Sequence, residues 1–354
     1  MIRVVRAFDR FLPAVSLVLA ITSGSPAAPA APAEAGARAT HRIQLPGGEV
    51  GIGFDDFQYA AGARKILVPG GRTGKLFLLD PGTRQLTAIG GFSTKQEYSG
   101  GHGQGTTSSC EGGSLVYATD RGSKSVKIVD PTAGKIIGSI ALEASPDYVR
   151  CVSATREVWV TEPGKEQIET FALGSDGRTA SPAGTVKAAG GPESLVIDAT
   201  RGRAYTHTWK SSTYAIDLKK RTIAATWTNG CQGARGGALD EKRGLLFVGC
   251  GEGKAVVMDV LSGKVLSSLT AGSDVDSIGY SEALEHLYVP GGGTADLSIL
   301  DATDPAHLTL LGKVKTGPDA HTIAVDPEDH QVFVGLPEHG EVLVIPDAAG
   351  SAGR

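Results

Sequence analysis

The sequence predicts an all-β chain folded as a seven-bladed β-propeller with four-stranded blades, closed by an N-terminal strand that completes the last blade. Three observations predict it. One four-part unit recurs seven times along the chain. Its steps run from 42 to 50 residues. The composition is that of short strands and tight turns, with 49 glycines and 18 prolines among 354 residues. The glycines have no period of three, which excludes collagen. Hydrophobic residues make up 41%, enough for a core, so bulk disorder is excluded too. Four strands per unit at such a period describe propeller blades, because a twisted sheet with two apolar faces must stack both on neighbours.

The elements follow in chain order. Met1-Ile2-Arg3-Val4-Val5-Arg6 and Arg10 carry positive charge, Phe11 to Thr22 form an apolar run, and small residues follow from Ser23 to Ala28. This order predicts a secretory signal peptide over residues 1–28. The run is short for a membrane span, and an uncleaved N-terminal anchor is the alternative. No cysteine lies near the cleavage region, so a lipoprotein anchor has no support. Residues 29–40, rich in Ala and Pro, read as a flexible leader. The propeller is assigned to residues 41–347 and a flexible tail to residues 348–354.

His41-Arg42-Ile43-Gln44-Leu45 resembles the fourth strands of later repeats, such as Lys135-Ile136-Ile137-Gly138-Ser139-Ile140. The last repeat lacks its own fourth strand, so this segment is expected to supply it. Pairing the two chain ends would remove the exposed edges of an open ring.

Second strands are predicted at residues 65–68, 115–118, 157–160, 203–206, 245–248, 286–289 and 331–334. Third strands end at Asp80, Asp130, Ala172, Asp217, Asp259, Asp301 and Pro346, spaced 42 to 50 residues apart. The repeated terminal Asp reads as a turn cap, since its side chain accepts from backbone two residues on. A six- or eight-bladed ring is the alternative architecture.

Four cysteines allow three pairings. Cys231 and Cys250 flank one predicted hairpin with its turn at residues 240–244, close enough for a cross-strand bridge. Cys110 and Cys151 then pair by elimination, both in first strands of successive repeats. Four free thiols or a metal site are the alternatives. No C-x-x-C or C-x-x-C-H occurs, so structural zinc and covalent c-type haem have no support.

Asp130-Pro131-Thr132-Ala133-Gly134-Lys135, Tyr288-Val289-Pro290-Gly291-Gly292 and the segment Pro318 to Pro327 resemble YVTN/YncE-type propeller proteins. The resemblance spans roughly residues 41–347 and implies the fold. It leaves function open, because such propellers bind, scaffold or catalyse. Val158-Trp159-Val160-Thr161-Glu162 is similar to a strand of virginiamycin-lyase-like propellers, in one blade only.

Loops before the first strands, and between second and third strands, converge at one mouth of a propeller's channel, where function usually sits. The first set offers Asp55 and Asp56, His102, Asp147 with Tyr148 and Arg150, Glu193, Arg235, Asp274 and Asp276, and Asp319 with His321. The second set adds Arg72, Arg121, Glu162, His207, Trp209, Lys210 and Glu252. The chosen ligand-binding candidates are His102, Asp55, Asp147, Glu193, Arg235, Asp276, His321 and His207. Histidines with carboxylates could hold a divalent cation, the one cofactor suggested. The plainer reading is that such side chains tie polar loops to backbone amides. His102 stands out because Gly100-Gly101-His102-Gly103-Gln104-Gly105 lets backbone approach closely.

No phosphate loop and no G-x-S-x-G elbow occurs. Net charge is −4 and the pI near 6.1, which gives no basic footprint for nucleic acid. The expected function is an exported binding or interaction module, periplasmic or secreted, with a small molecule or protein at the polar mouth. No membrane span is expected after signal removal, and a monomer is expected. A metal-dependent lactonase or lyase at the mouth is the alternative, or an accessory propeller subunit of a redox complex.

Overall fold

The computed structural model describes residues 39–347. The predicted signal peptide, most of the leader and the tail lie outside the described residues. Seven antiparallel four-stranded sheets form the molecule, six of them simple meanders of consecutive strands. The seventh combines Ile323–Asp326, Gln331–Leu336 and Glu341–Pro346 with the N-terminal strand His41–Gln44. His41 lies opposite Val344 and Gln44 opposite Glu341, so the chain ends close the ring as expected.

The second strands run Lys65–Pro69, Leu115–Asp120, Glu157–Glu162, Arg203–His207, Leu245–Cys250, His286–Gly291 and Gln331–Leu336. Each covers its predicted window. The third strands lie equally close to prediction. Their terminal aspartates cap the following turns: Asp80 accepts from the Thr83 amide at 2.7 Å, Asp130 from Ala133 at 2.9 Å and Asp259 from Ser262 at 2.7 Å.

Strand alternation explains the core. Successive side chains of a strand face opposite blade neighbours. Val116 packs toward the first blade with Leu67 and Leu76, whereas Tyr117 packs toward the third with Val149 and Phe171. Seven apolar clusters result, each filled from two adjacent blades. An aromatic residue holds the same second-strand position in six blades: Tyr117, Trp159, Tyr205, Phe247, Tyr288 and Phe333, all fully buried. Each such side chain contributes about 1.5–3 kcal/mol through burial.

Both disulfides form with the expected pairing. Cys110 and Cys151 join first strands of the second and third blades, Ser109–Gly112 and Val149–Val152. Cys231 lies outside the ladder, three residues before the strand Ala234–Asp240, and Ala234 is the residue opposite Cys250. That bridge therefore ties a loop to a strand end rather than crossing the hairpin. Among the described residues, no helix is long and apolar enough to cross a membrane.

Candidate functional site

The first strand of each blade packs against that of the next, and the first strand of the last blade against that of the first. This inner ring brings the preceding loops together at one end.

Three of those loops are anchored by a threonine late in the second strand. Thr119 Oγ1 accepts from the Thr107 and Ser108 amides at 3.2 and 3.0 Å. Thr161 Oγ1 accepts from the Tyr148 amide at 2.8 Å, beside Asp147. Thr206 Oγ1 donates to the Glu193 and Ser194 carbonyls at 3.2 and 2.8 Å. The second-strand repeat thus sets the height of the acids at the mouth.

His102 is placed by glycine. A side chain at Gly53 would meet the Gly101 carbonyl at 1.8 Å, and one at Gly105 would meet the Gly71 carbonyl at 2.0 Å. Gly101 and Gly105 also hold φ of +65° and +64°, where other residues are strained. The close backbone approach is thus made within the protein, and it delivers His102 to the centre.

Five candidates meet there: Asp55, His102, Asp147, Asp276 and His321. His102 Nδ1 lies 3.2 Å from Asp55 Oδ2, and its Nε2 lies 3.9 Å from Asp276 Oδ2. His321 Nε2 is also 3.9 Å from Asp276 Oδ2, and the two imidazole centroids are 5.7 Å apart. Backbone ties set these neighbours. The Ser277 amide and hydroxyl donate to the His321 carbonyl at 3.1 and 2.9 Å, and Thr322 Oγ1 donates to the Asp55 carbonyl at 3.2 Å. Arg121 pairs with both Asp55 and Asp147.

The remaining candidates lie outside this group, Glu193 within electrostatic reach of Asp147 and Asp276. Glu193 Oε2 accepts from the indole of the half-exposed Trp209 at 2.6 Å. Arg235 pairs with Asp274 at 3.1 Å on the surface. His207 is 0% exposed, its Nδ1 3.0 Å from Thr213 Oγ1, in the interior rather than at the mouth surface. Arg121, Asp56 and Arg150 matter more than the sequence suggests. Asp56 is buried and accepts from Arg150 at 2.6 and 3.0 Å and from Ser108 Oγ at 2.5 Å. No local signal singles them out, because their partners come from other blades.

Acid outweighs fixed positive charge at this mouth. Among the described residues, no lysine or arginine forms an ion pair with Asp276 or Glu193. Burial pushes the Asp276 carboxyl upward, opposed by His321. Burial and the charges of Asp147 and Asp276 push Glu193 up to about 9. Burial and Asp55 likewise raise Asp147 against the pull of Arg121. Burial would raise Asp55, but His102 and Arg121 hold it below its usual range. The Asp55 charge in turn carries His102 up to about 10 against burial. Burial would lower His321, but its bond to Asp319 and the charge of Asp276 raise it. Opposed shifts among neighbouring groups cluster at functional sites and in structural ion-pair networks alike.

No protein-family model matches the chain, and no curated protein matches it. Solved structures do resemble it. A chain of Kuenenia stuttgartiensis hydrazine synthase superposes with a TM-score of 0.69 at 14% identity, covering 85% of this chain and 97% of its own. A chain of a mitotic checkpoint complex superposes at 0.72, also at 14% identity, covering 94% and 99%. At that identity the likeness establishes the architecture alone: this chain is a seven-bladed β-propeller.

Proposed function

We propose that this protein is an exported β-propeller binding module that takes a positively charged ligand at the mouth of its ring. One observation carries the reading: at the mouth Asp55 and Asp147 share the single guanidinium of Arg121, and beside them Asp276 forms no ion pair with a lysine or arginine among the described residues. Removing charge from water without a partner is unfavourable, so such a group favours a bound cation. The signal-like N-terminus, the two disulfides and the YVTN/YncE-type repeats support export and a binding role.

The test is a thermal-shift scan of the chelator-treated protein with divalent cations, protonated amines and organic anions. A ligand that binds only the folded state raises its melting temperature. Cations should raise it, and Asp55→Asn with Asp147→Asn should shrink the shift. A response to anions alone, or one indifferent to both substitutions, would overturn the reading. Export is tested by fractionation with the native N-terminus. A shortened chain in the periplasm or medium is expected, and a full-length cytosolic chain would refute it.

A second reading, a metal-dependent lactonase or lyase, is favoured by the approach of His102 and His321 to the same carboxylate. A cation held there would polarise a carbonyl or activate water.

A further inference from the structure

Resting on the cationic reading of the mouth, we propose that His102, His321 and Asp276 form a two-histidine, one-carboxylate site for a single divalent transition ion, of which zinc is the type. The three residues offer ligand atoms that lie within 4.8 Å of one another. The carboxylate Oδ2 of Asp276 is 3.9 Å from Nε2 of each histidine. A tetrahedral centre with bonds of about 2.1 Å separates its ligand atoms by about 3.4 Å. Closing the group on an ion therefore shortens each Asp276–histidine separation by about half an ångström and turns His321 Nε2 off the Phe54 carbonyl.

Three further observations distinguish this group from a cluster of acids. Asp276 is 5% exposed, yet its Oδ1 has no hydrogen-bond partner. A buried carboxylate oxygen left unbonded is costly, and an ion held by both oxygens of Asp276 would supply the missing partner. The opposite ring nitrogens lie beside carboxylates: His321 Nδ1 is hydrogen-bonded to Asp319 Oδ1 at 3.1 Å, and His102 Nδ1 is 3.2 Å from Asp55 Oδ2 without hydrogen-bond geometry. Carboxylates behind metal-bound imidazoles fix the ring orientation and strengthen the ligand. The other acid pair of the mouth, Asp55 with Asp147, already has its cation in Arg121. At Asp276 the nearest basic groups are instead the two imidazoles themselves.

His321 Nε2–H donates to the Phe54 carbonyl at 3.2 Å. Metal binding replaces that proton and the one on His102 Nε2, so uptake of the ion releases protons to solvent. Two imidazoles favour zinc, cobalt or nickel over calcium or magnesium, which prefer all-oxygen sites. Three protein ligands leave a coordination position for a ligand arriving from the mouth. His102, on its glycine loop, is the most solvent-exposed of the three.

The experiment is a Co²⁺ titration of the full folded chain after chelator treatment, read by visible absorption and by metal content per chain. One Co²⁺ per chain is expected, displaced by Zn²⁺ but not by equal Ca²⁺ or Mg²⁺. Asp276→Asn and His321→Gln should weaken binding by at least about 100-fold. Asp319→Asn, which touches only the back of His321, should weaken it about 10- to 100-fold. His307→Ala, a surface histidine remote from the mouth, should change nothing. If a buried variant fails to melt cooperatively, His102→Gln on the exposed loop takes its place. Absence of a cobalt band in the folded protein would overturn the site, as would binding unchanged in Asp319→Asn and His102→Gln, or Ca²⁺ outcompeting Zn²⁺. A protein that binds amines but no cobalt would lose this site and keep the cation-binding mouth. A protein that binds neither would lose both.

Discussion

Arg150 grips Asp56 with both terminal nitrogens, Nη1 to Oδ2 at 2.6 Å and Nη2 to Oδ1 at 3.0 Å, although the residues belong to the third and first blades. Ser108 of the second blade donates to the same carboxylate at 2.5 Å. Three blades are thus locked together by one buried ion pair beneath the mouth.

Removing one partner of such a pair strands the other charge, which costs about 3–5 kcal/mol. Arg150→Met should therefore lower stability by that amount in urea unfolding. The double variant Arg150→Met with Asp56→Leu should recover most of the loss. A double variant as weak as the single one would show that the pair itself stabilises the ring.

Glu193 gives the mouth an alkaline weakness. Its folded pKa is raised, by burial first, from 4.5 to about 9. The fold therefore favours the protonated form. That contribution is complete below pH 4.5 and is lost as pH rises toward 9. Glu193→Gln should match the parent near pH 4.5 and exceed it by on the order of 1 kcal/mol, about 2–4 °C, near pH 9. Melting curves from pH 4 to 9 decide it; parallel curves would contradict the shift.

His207 acts in the opposite direction. Burial lowers its pKa from 6.5 to about 4. The unfolded chain therefore binds the extra proton between those values, and stability falls as pH drops from 6.5 through 4. The loss is on the order of 3 kcal/mol. His207→Gln should flatten that limb of the pH–stability curve, whatever its effect at pH 7. An unchanged acid slope would show that another group is responsible.

The disulfides close segments of 41 and 19 residues. Chain-entropy arguments assign about 4 and about 3 kcal/mol to loops of these lengths. Replacing Cys110 and Cys151 together by Ser should lower the melting temperature by several degrees, and slightly more than replacing Cys231 and Cys250. Reducing agent should lower the parent and leave the fourfold variant untouched. Four titratable thiols in the folded parent would refute the pairing.

Much of the architecture was legible along the chain. Each blade is a meander of neighbouring strands, so its hydrogen-bond partners lie within one repeat. Apolar runs such as Leu245-Leu246-Phe247-Val248 and turns such as Asp130 to Lys135 announce it locally. The closing strand was legible too, because Ile43 belongs to a repeat that is otherwise one strand short. The placement of Cys231 outside its ladder was not, since a bulge between Ala234 and Gly237 shifts the register there.

The mouth was legible as an inventory of residue types, not as a site. Its partners are far apart in sequence: His321 meets the carbonyl of Phe54 across 267 positions, and Arg150 meets Asp56 across 94. Identical loop positions also diverge. Arg235 turns to a surface partner, whereas Asp276 turns to the centre. The sequence by itself determined the strands and the repeat and favoured seven blades, because periodic burial and turn chemistry act over a few residues. Only the closed ring decided which acids share a cation, which are left without one and which histidine is sealed inside, because those outcomes depend on charges brought together from different blades.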